Sequence, residues 1–297
     1  MNPLKQYIKA IASSIGRRHP ELIVRVRYAL RFHCRLNLRQ PSDLNEKIQY
    51  LSLRTDTTEW SRLSDKYAVR QYVADCGLAN ILNTLYGVWD NADDIPFDTL
   101  PQRFVLKTTH GSGDSILVTD KSALDVAAVK ATLRRTLGTT YGLSEGNFHY
   151  SRIKPRVIAE ALLDNDPLSA TLSTSLIDYK IWCFSGRPTY IWTCTNRTKH
   201  GTRVMVYDTQ WTSHPEYINS TPYYQRDSFI PKPQNLDEML SMAARLSAPF
   251  PVVRVDLYNL AGRIYFGEMT FTAIGGLMNN YTPQFLRHAG SLITLPS

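Results

Sequence analysis

The stretch RVDLYNLAGRIYFGEMTF, residues 254 to 271, constrains the fold more than any other, because it sets charges into two runs that otherwise alternate as apolar β-strands. Side chains at i and i+2 of a strand share a face, so Arg254 lies with Asp256, and Glu268 with Thr270. A tight turn over NLAG folds the runs into a hairpin and sets those faces side by side. Two carboxylates converging on a buried face repel unless a cation neutralises them. Salt bridges to Arg254 and Arg263 are one solution. The other is a divalent metal, since paired hard oxygens suit Mg2+ when phosphates complete its shell. An arginine beside such a pair also serves phosphoryl or acyl-phosphate chemistry.

A second element is FVLKTTHGSGDS, in which an apolar strand ends at Lys107 and runs into Gly111, Ser112 and Gly113. Glycines let backbone N–H groups approach an anion, and a lysine at the strand end adds a point charge, so the pair suits a triphosphate. It is neither G-x-x-x-x-G-K nor G-x-G-x-x-G, and by itself a glycine turn between strands explains it as well. A third element lies in VIAEALL and DYKIWCF. Glu160 ends one predicted strand, while Asp178 and Lys180 share a face of the next; a carboxylate there serves a nucleoside and a second lysine its phosphates.

The chain is long enough, at 297 residues and 43% hydrophobic, for one large domain or two sharing a cleft. PSDLNEKIQYLSL predicts a helix capped by Ser42 or Asp43, and SRLSDKYAVRQYVADCG a helix that stops at Gly77, so that residues 41 to 90 read as helical. Polar turns follow, then strands at RFVLKTTH, SILVTD, RVIAEALL, DYKIWCF, TYIWTCT, RVMVYD, VVRVDLY and RIYFGEMTF. Helical windows lie at LDVAAVKATLRRTLG and NLDEMLSMAARLSA. SGRP and NLAG are the tightest hairpin turns. The class is α+β with mostly antiparallel hairpins. Cys34, Cys76, Cys183 and Cys194 form no C-x-x-C pair, and the histidines have no metal-ligand spacing. GLSEG matches the hydrolase G-x-S-x-G but has no strand before it. No run is apolar enough to span a membrane or act as a secretory signal, so a cytoplasmic address is expected.

Charge is unevenly placed. The net charge of +8 equals the surplus in residues 1 to 40, where nine basic residues face one acid, Glu21; the rest holds 25 of each sign. Leu4, Ile8, Ile11, Ile15, Leu22, Val26 and Leu30 recur there at helical spacings, so this basic amphipathic region can lie on an anionic membrane or pack on the main domain. Nucleic acid is not expected as a partner, for want of interleaved aromatic platforms.

Taken in order, the lysine strand, glycine loop, glutamate, RVD and GE-x-TF look like the ATP-grasp superfamily. More narrowly, DLNEKIQYLSL, SDKYAVRQYV, LPQRFVLKTTHGSGDS, DYKIWCFSGRP and VRVDLYNLAGRIYFGEMTF resemble its teichuronopeptide-biosynthesis (TupA-like) branch, over about residues 40 to 285. The resemblance implies an ATP-grasp fold, two α+β subdomains clamping ATP; the helical N-terminal region that precedes them is read from its own spacing and is not explained by the resemblance. The parts would be 1–40 (basic helical), 41–103 (helical part of the core), 104–162 (glycine-loop lid) and 163–297 (ATP and Mg2+ binding). It implies that Lys66 and Lys107 touch the ATP phosphates, that Gly111, Ser112 and Gly113 close over them, that Glu160 sits at the adenine hinge and Asp178 near the ribose. Lys180 would point to the phosphates or the substrate, Asp256, Glu268 and Thr270 would hold Mg2+, and Arg254 would stabilise the acyl phosphate and tetrahedral intermediate. Thr270 departs from the usual asparagine, and Thr272 and Ala273 from a proline-containing turn.

The implied activity is an ATP-dependent carboxylate–amine ligase of bacterial surface-polysaccharide (capsule-type) biosynthesis. Its carboxylate would be a uronic acid on a nucleotide sugar, lipid-linked oligosaccharide or polymer, and its amine an amino acid, ammonia or an amino alcohol. The enzyme would be cytoplasmic or peripheral at the inner face of the cell membrane. A sugar kinase and a glycosyltransferase are the alternatives, though no H-R-D or D-F-G stands in the chain and Asp256 and Glu268 do not have D-x-D spacing. Trp211, Tyr223 and Tyr224, in loops of the acceptor region, either stack on sugar rings or pack as cover.

Overall fold

The computed structural model describes residues 3–226 and 229–296, with side chains from residue 7 onward. Asp227 and Ser228, within the second of the acceptor loops, lie outside the described residues, as do the side chains of Leu4 and Lys5. The chain divides into two compact units, one of residues 1–23, 56–75 and 82–163, the other of 24–55, 76–81 and 164–297.

The first unit is built on an antiparallel sheet in the order β1-β4-β2-β3, with β1 Leu85–Trp89, β2 Phe104–Thr108, β3 Ile116–Val118 and β4 Val157–Ala161. Its core joins Phe104, Leu106, Val157 and Ala159 to Val129 and Leu133 of helix α6, here Val126–Leu137. Asp125 caps that helix by accepting from the Ala128 N–H, and Gly138 ends it.

The second unit carries a six-stranded sheet in the order β10-β9-β5-β6-β7-β8. Its strands are β5 Asp178–Phe184, β6 Arg187–Thr195, β7 Thr202–Asp208, β8 Tyr224–Arg226, β9 Val252–Leu260 and β10 Arg263–Thr270; only β7 and β8 run parallel. Both expected tight hairpins form: Ser185 and Gly186, and Ala261 and Gly262, all have positive φ, the two-residue turn that matches strand twist. Helix α8, Leu236–Ser247, covers the face that carries Ile181, Cys183 and Asn259; the Ala243 carbonyl lies 3.8 Å from Cys183 Sγ. The opposite face carries Asp178, Lys180 and Arg254. Helix α3, Leu44–Arg54, packs on α9, Pro283–Ser291; of the two expected caps for α3, Asp43 serves, accepting from the Glu46 N–H.

Several sequence expectations need correction. The helix expected through Gly77 is broken into α4, Thr58–Ser64, and α5, Val69–Asp75. Asp65 Oδ1 accepts from the N–H groups of Tyr67 and Ala68 at 2.8 and 3.1 Å, a local turn that outcompetes the helical ladder. Residues 41 to 90 are not wholly helical, because β1 finds its partner 70 residues on, pairing Val88 with Ile158. GLSEG forms a turn. Trp211 packs as cover: it is 6% exposed, stacked 4.1 Å from Tyr207. At the N-terminus, α1 (Pro3–Arg18) and α2 (Pro20–Phe32) part at Pro20. Of the predicted apolar positions, Ile8 and Ile11 of α1 and Leu22, Val26 and Leu30 of α2 are exposed and Ile15 is half-buried, while α2 buries Ile23, Val24 and Tyr28 instead.

Candidate active site

In the second unit the sheet face opposite α8 carries a string of alternating charges. Asp256 pairs with Lys180 across β9 and β5, and with Glu268 across β9 and β10. Arg254 grips Asp256 with two prongs, Nε to Oδ1 at 2.6 Å and Nη2 to Oδ2 at 2.8 Å. The same Nη2 reaches Glu268 Oε1 at 3.2 Å and Thr270 Oγ1 at 3.0 Å, and Thr270 donates to Glu268 at 2.8 Å. Lys180 donates to Asp256 Oδ2 and, at 3.3 Å, to Asp178, whose other oxygen takes Arg197 at 2.6 Å. Arg263 takes no part; it lies over the Tyr265 ring.

Burial sets the character of each member. Asp256 is 2% exposed. Burial opposes its charge, but Arg254 and Lys180 outweigh that and hold the carboxyl below the ordinary range. Burial would likewise strip Lys180 of its proton, yet Asp178 and Asp256 raise its pKa instead. The Arg254 pKa is raised by Asp256 and Glu268 against the same cost. Both partners of the central pair are therefore ionised at neutral pH. Glu268, by contrast, has a side chain 43% exposed and is the open end of the string.

These residues are compatible with Mg2+. Two carboxylates and a hydroxyl side by side form a hard-oxygen set. Three acids here balance three cations, Lys180, Arg197 and Arg254, so a polyphosphate meets no surplus positive charge unless a divalent ion brings it. The guanidinium of Arg254 bridges the two acids and fulfils the neutralising role that the sequence demanded. No cluster of three or more histidine, cysteine or acidic groups suited to a metal occurs among the described residues.

The first unit gathers the remaining candidates. The break between α4 and α5 leaves Lys66 outside any helix, with its Nζ donating to the Gly111 carbonyl of the glycine loop. Gly111 is buried, and Ser112 and Gly113 are exposed. Gly113 adopts φ 79° with open space where a Cβ would sit, so backbone conformation alone calls for glycine there. Thr108 ties the loop by donating to Asp114. On the sheet, Lys107 donates to Glu160 Oε2 at 2.8 Å, and Arg70 holds Oε1 at 3.0 Å while donating to the Asn83 carbonyl.

Sequence reading missed Arg70, Arg156 and Arg197, whose acid partners lie 90, 91 and 19 residues away. It also missed Asp65, though an aspartate two and three residues before the N–H groups it caps is a local signal. Asp65 Oδ2 takes Arg156 at 2.8 Å, and Arg156 lies over the Tyr67 ring. Asp65→Ala removes two caps and strands a largely buried guanidinium, so a stability loss of about 3 kcal/mol is expected. A urea midpoint within error of the parent would show that the turn forms without it.

No curated protein matches the chain in sequence. Among solved structures it is similar to D-alanine–D-alanine ligase from Bacillus anthracis, at 14% identity and TM-score 0.49, over 85% of this chain and 72% of that one. It is similar to the D-alanine–D-alanine ligase of Helicobacter pylori, at 14% and 0.44, over 85% and 67%. It also resembles an L-amino acid ligase from Bacillus licheniformis, at 14% and 0.48, over 95% of this chain but 63% of that one, less than two thirds. The family model described as TupA-like ATPgrasp matches residues 46–293, most of the chain. The protein belongs to the TupA-like ATP-grasp family.

Proposed function

We propose that this enzyme joins the carboxylate of a uronic acid, in a bacterial surface polysaccharide or its precursor, to an amine through an acyl phosphate. The observation that carries the reading is the Lys180–Asp256–Arg254–Glu268 string, which fixes two cations beside an acid pair on one sheet face. The uronate oxygen attacks the γ-phosphorus of ATP and ADP leaves. The amine nitrogen then attacks the acyl carbon, loses a proton, and phosphate leaves with its bonding pair. No protein nucleophile is needed.

The chain's own part is charge stabilisation and positioning. Arg254, fixed by Asp256, presents a guanidinium whose place is set before substrate arrives, so little reorganisation opposes it. Lys180 is kept charged by Asp178 and Asp256 and faces the same way. Lys66 and Lys107 serve the nucleotide's phosphates beside the Gly111–Gly113 loop, with Glu160 toward adenine and Asp178 toward ribose. Mg2+ would be held by Asp256 and Glu268 with Thr270 and would supply positive charge to the phosphates when bound.

The test is a screen of uronic acids and uronate-bearing precursors against amines, with ADP and phosphate measured. ADP release is expected only when acid and amine are both present. A phosphorylated sugar formed without amine would instead establish a kinase, and consumption of a nucleotide sugar without ATP a glycosyltransferase.

A further inference from the structure

We infer that the outward face of α2 docks this protein on an anionic lipid surface. Of the eleven large hydrophobic residues exposed among the described residues, three line this one helix: Leu22, Val26 and Leu30. On α2 the three apolar positions follow at i, i+4 and i+8, one stripe along a single helix, and Leu30 is 73% exposed. The sequence makes this a choice rather than a shortage of apolar partners, since Ile23, Val24 and Tyr28 of the same helix are buried.

Charge decides what covers the stripe. Arg18 precedes α2, Arg31 closes it, and Arg25 is held in place by donating to the Leu36 carbonyl at 3.0 Å. Residues 1 to 40 hold the chain's entire positive surplus, while the remainder is balanced. A polyanion such as nucleic acid would neutralise the arginines and leave the leucines in water. A second copy would bring arginines against arginines. A bilayer rich in anionic headgroups takes both at once, with apolar side chains entering the acyl boundary and guanidiniums meeting phosphates. The stripe also lies outside the family match, which begins at residue 46, so it is independent of the ligase reading and of the site. No helix among the described residues is long and apolar enough to cross a membrane, and binding along the surface requires none.

The full chain should be sedimented with vesicles of phosphatidylcholine alone and with about a third phosphatidylglycerol. At low salt the anionic vesicles are expected to carry down about tenfold more protein or better, because each basic residue near such a surface adds to the attraction. High salt should erase most of that difference. Val26→Glu with Leu30→Glu should lower anionic binding about tenfold with an unchanged melting temperature. Arg18→Gln with Arg31→Gln, which leaves the apolar stripe intact, should weaken it also. Equal binding to both vesicle types, binding untouched by either variant, or a dimer in lipid-free solution that V26E/L30E dissociates would each overturn the inference.

Discussion

Glu268→Gln is expected to abolish most ATP turnover while leaving the fold standing. Its partly exposed pairing with Arg254 contributes at most about 1 kcal/mol to stability. The isosteric amide keeps an oxygen for the Thr270 hydroxyl but loses the charge that a divalent ion requires. Turnover should fall by about a hundredfold to a thousandfold, the range for losing one preorganised charge-stabilising group. Asp256→Asn separates the two acids by burial. It leaves Arg254 and Lys180 facing a neutral amide in a closed place, so stability should drop by about 3 kcal/mol or more along with activity. ADP release and urea unfolding, measured on both variants, resolve the two effects. Parent-like turnover by Glu268→Gln would remove Mg2+ from this face and with it the ligase site. Equal destabilisation by the two would show that Glu268 is a structural ion-pair partner like Asp256.

The sequence was most legible where a strand is marked off by its own turn residues. β5 starts at Asp178 and ends at Phe184, the bounds of DYKIWCF, because every residue but Lys180 is buried and turn chemistry follows at once. The helix break at residues 65 to 68 was hidden because Trp60 and Leu63 on one side of it, and Val69 and Val73 on the other, each keep helical spacing. What breaks the helix is a side chain competing for two backbone donors, a signal shorter than any periodic window. β1 was invisible for a different reason: five residues, one of them Gly87, become a strand only by pairing with β4. The start of α9 was there to be read, with Thr282 as cap and Pro283 in the first turn. The charge string was half legible. Its members on adjoining strands share a face by alternation, but Arg197 reaches Asp178 across 19 residues, and in the first unit Arg70 reaches Glu160 across 90, distances that no local spacing encodes.

The convergence of Asp256 and Glu268 itself depends on one residue whose role alternation alone conceals. From the turn at Ala261 and Gly262, regular pairing runs Arg263 with Leu260 through Phe266 with Leu257, and would next set Gly267 against Asp256. Glu268 would then oppose Val255 and point at the core. Instead the register shifts between Phe266 and Glu268, leaving Gly267 as the extra residue of a bulge; the buried positions change phase accordingly, from Ile264 and Phe266 to Met269. A Cβ on Gly267 would lie 2.9 Å from the Asp256 carbonyl oxygen and 3.3 Å from the Tyr258 ring, so a side chain must push backbone aside. Gly267→Val is therefore expected to cost about 1 to 3 kcal/mol in stability, as overpacking does. It should also lower ADP release about as far as Glu268→Gln, because a one-residue slip carries the glutamate to the other face. Deleting Gly267 provides the contrasting arm. Without the extra residue, regular pairing sets Glu268 opposite Asp256 unaided, so the deletion should retain clearly more turnover than Gly267→Val. If the deletion is the worse of the two, the bulge does more than set register, and the pairing argument for the acid site fails.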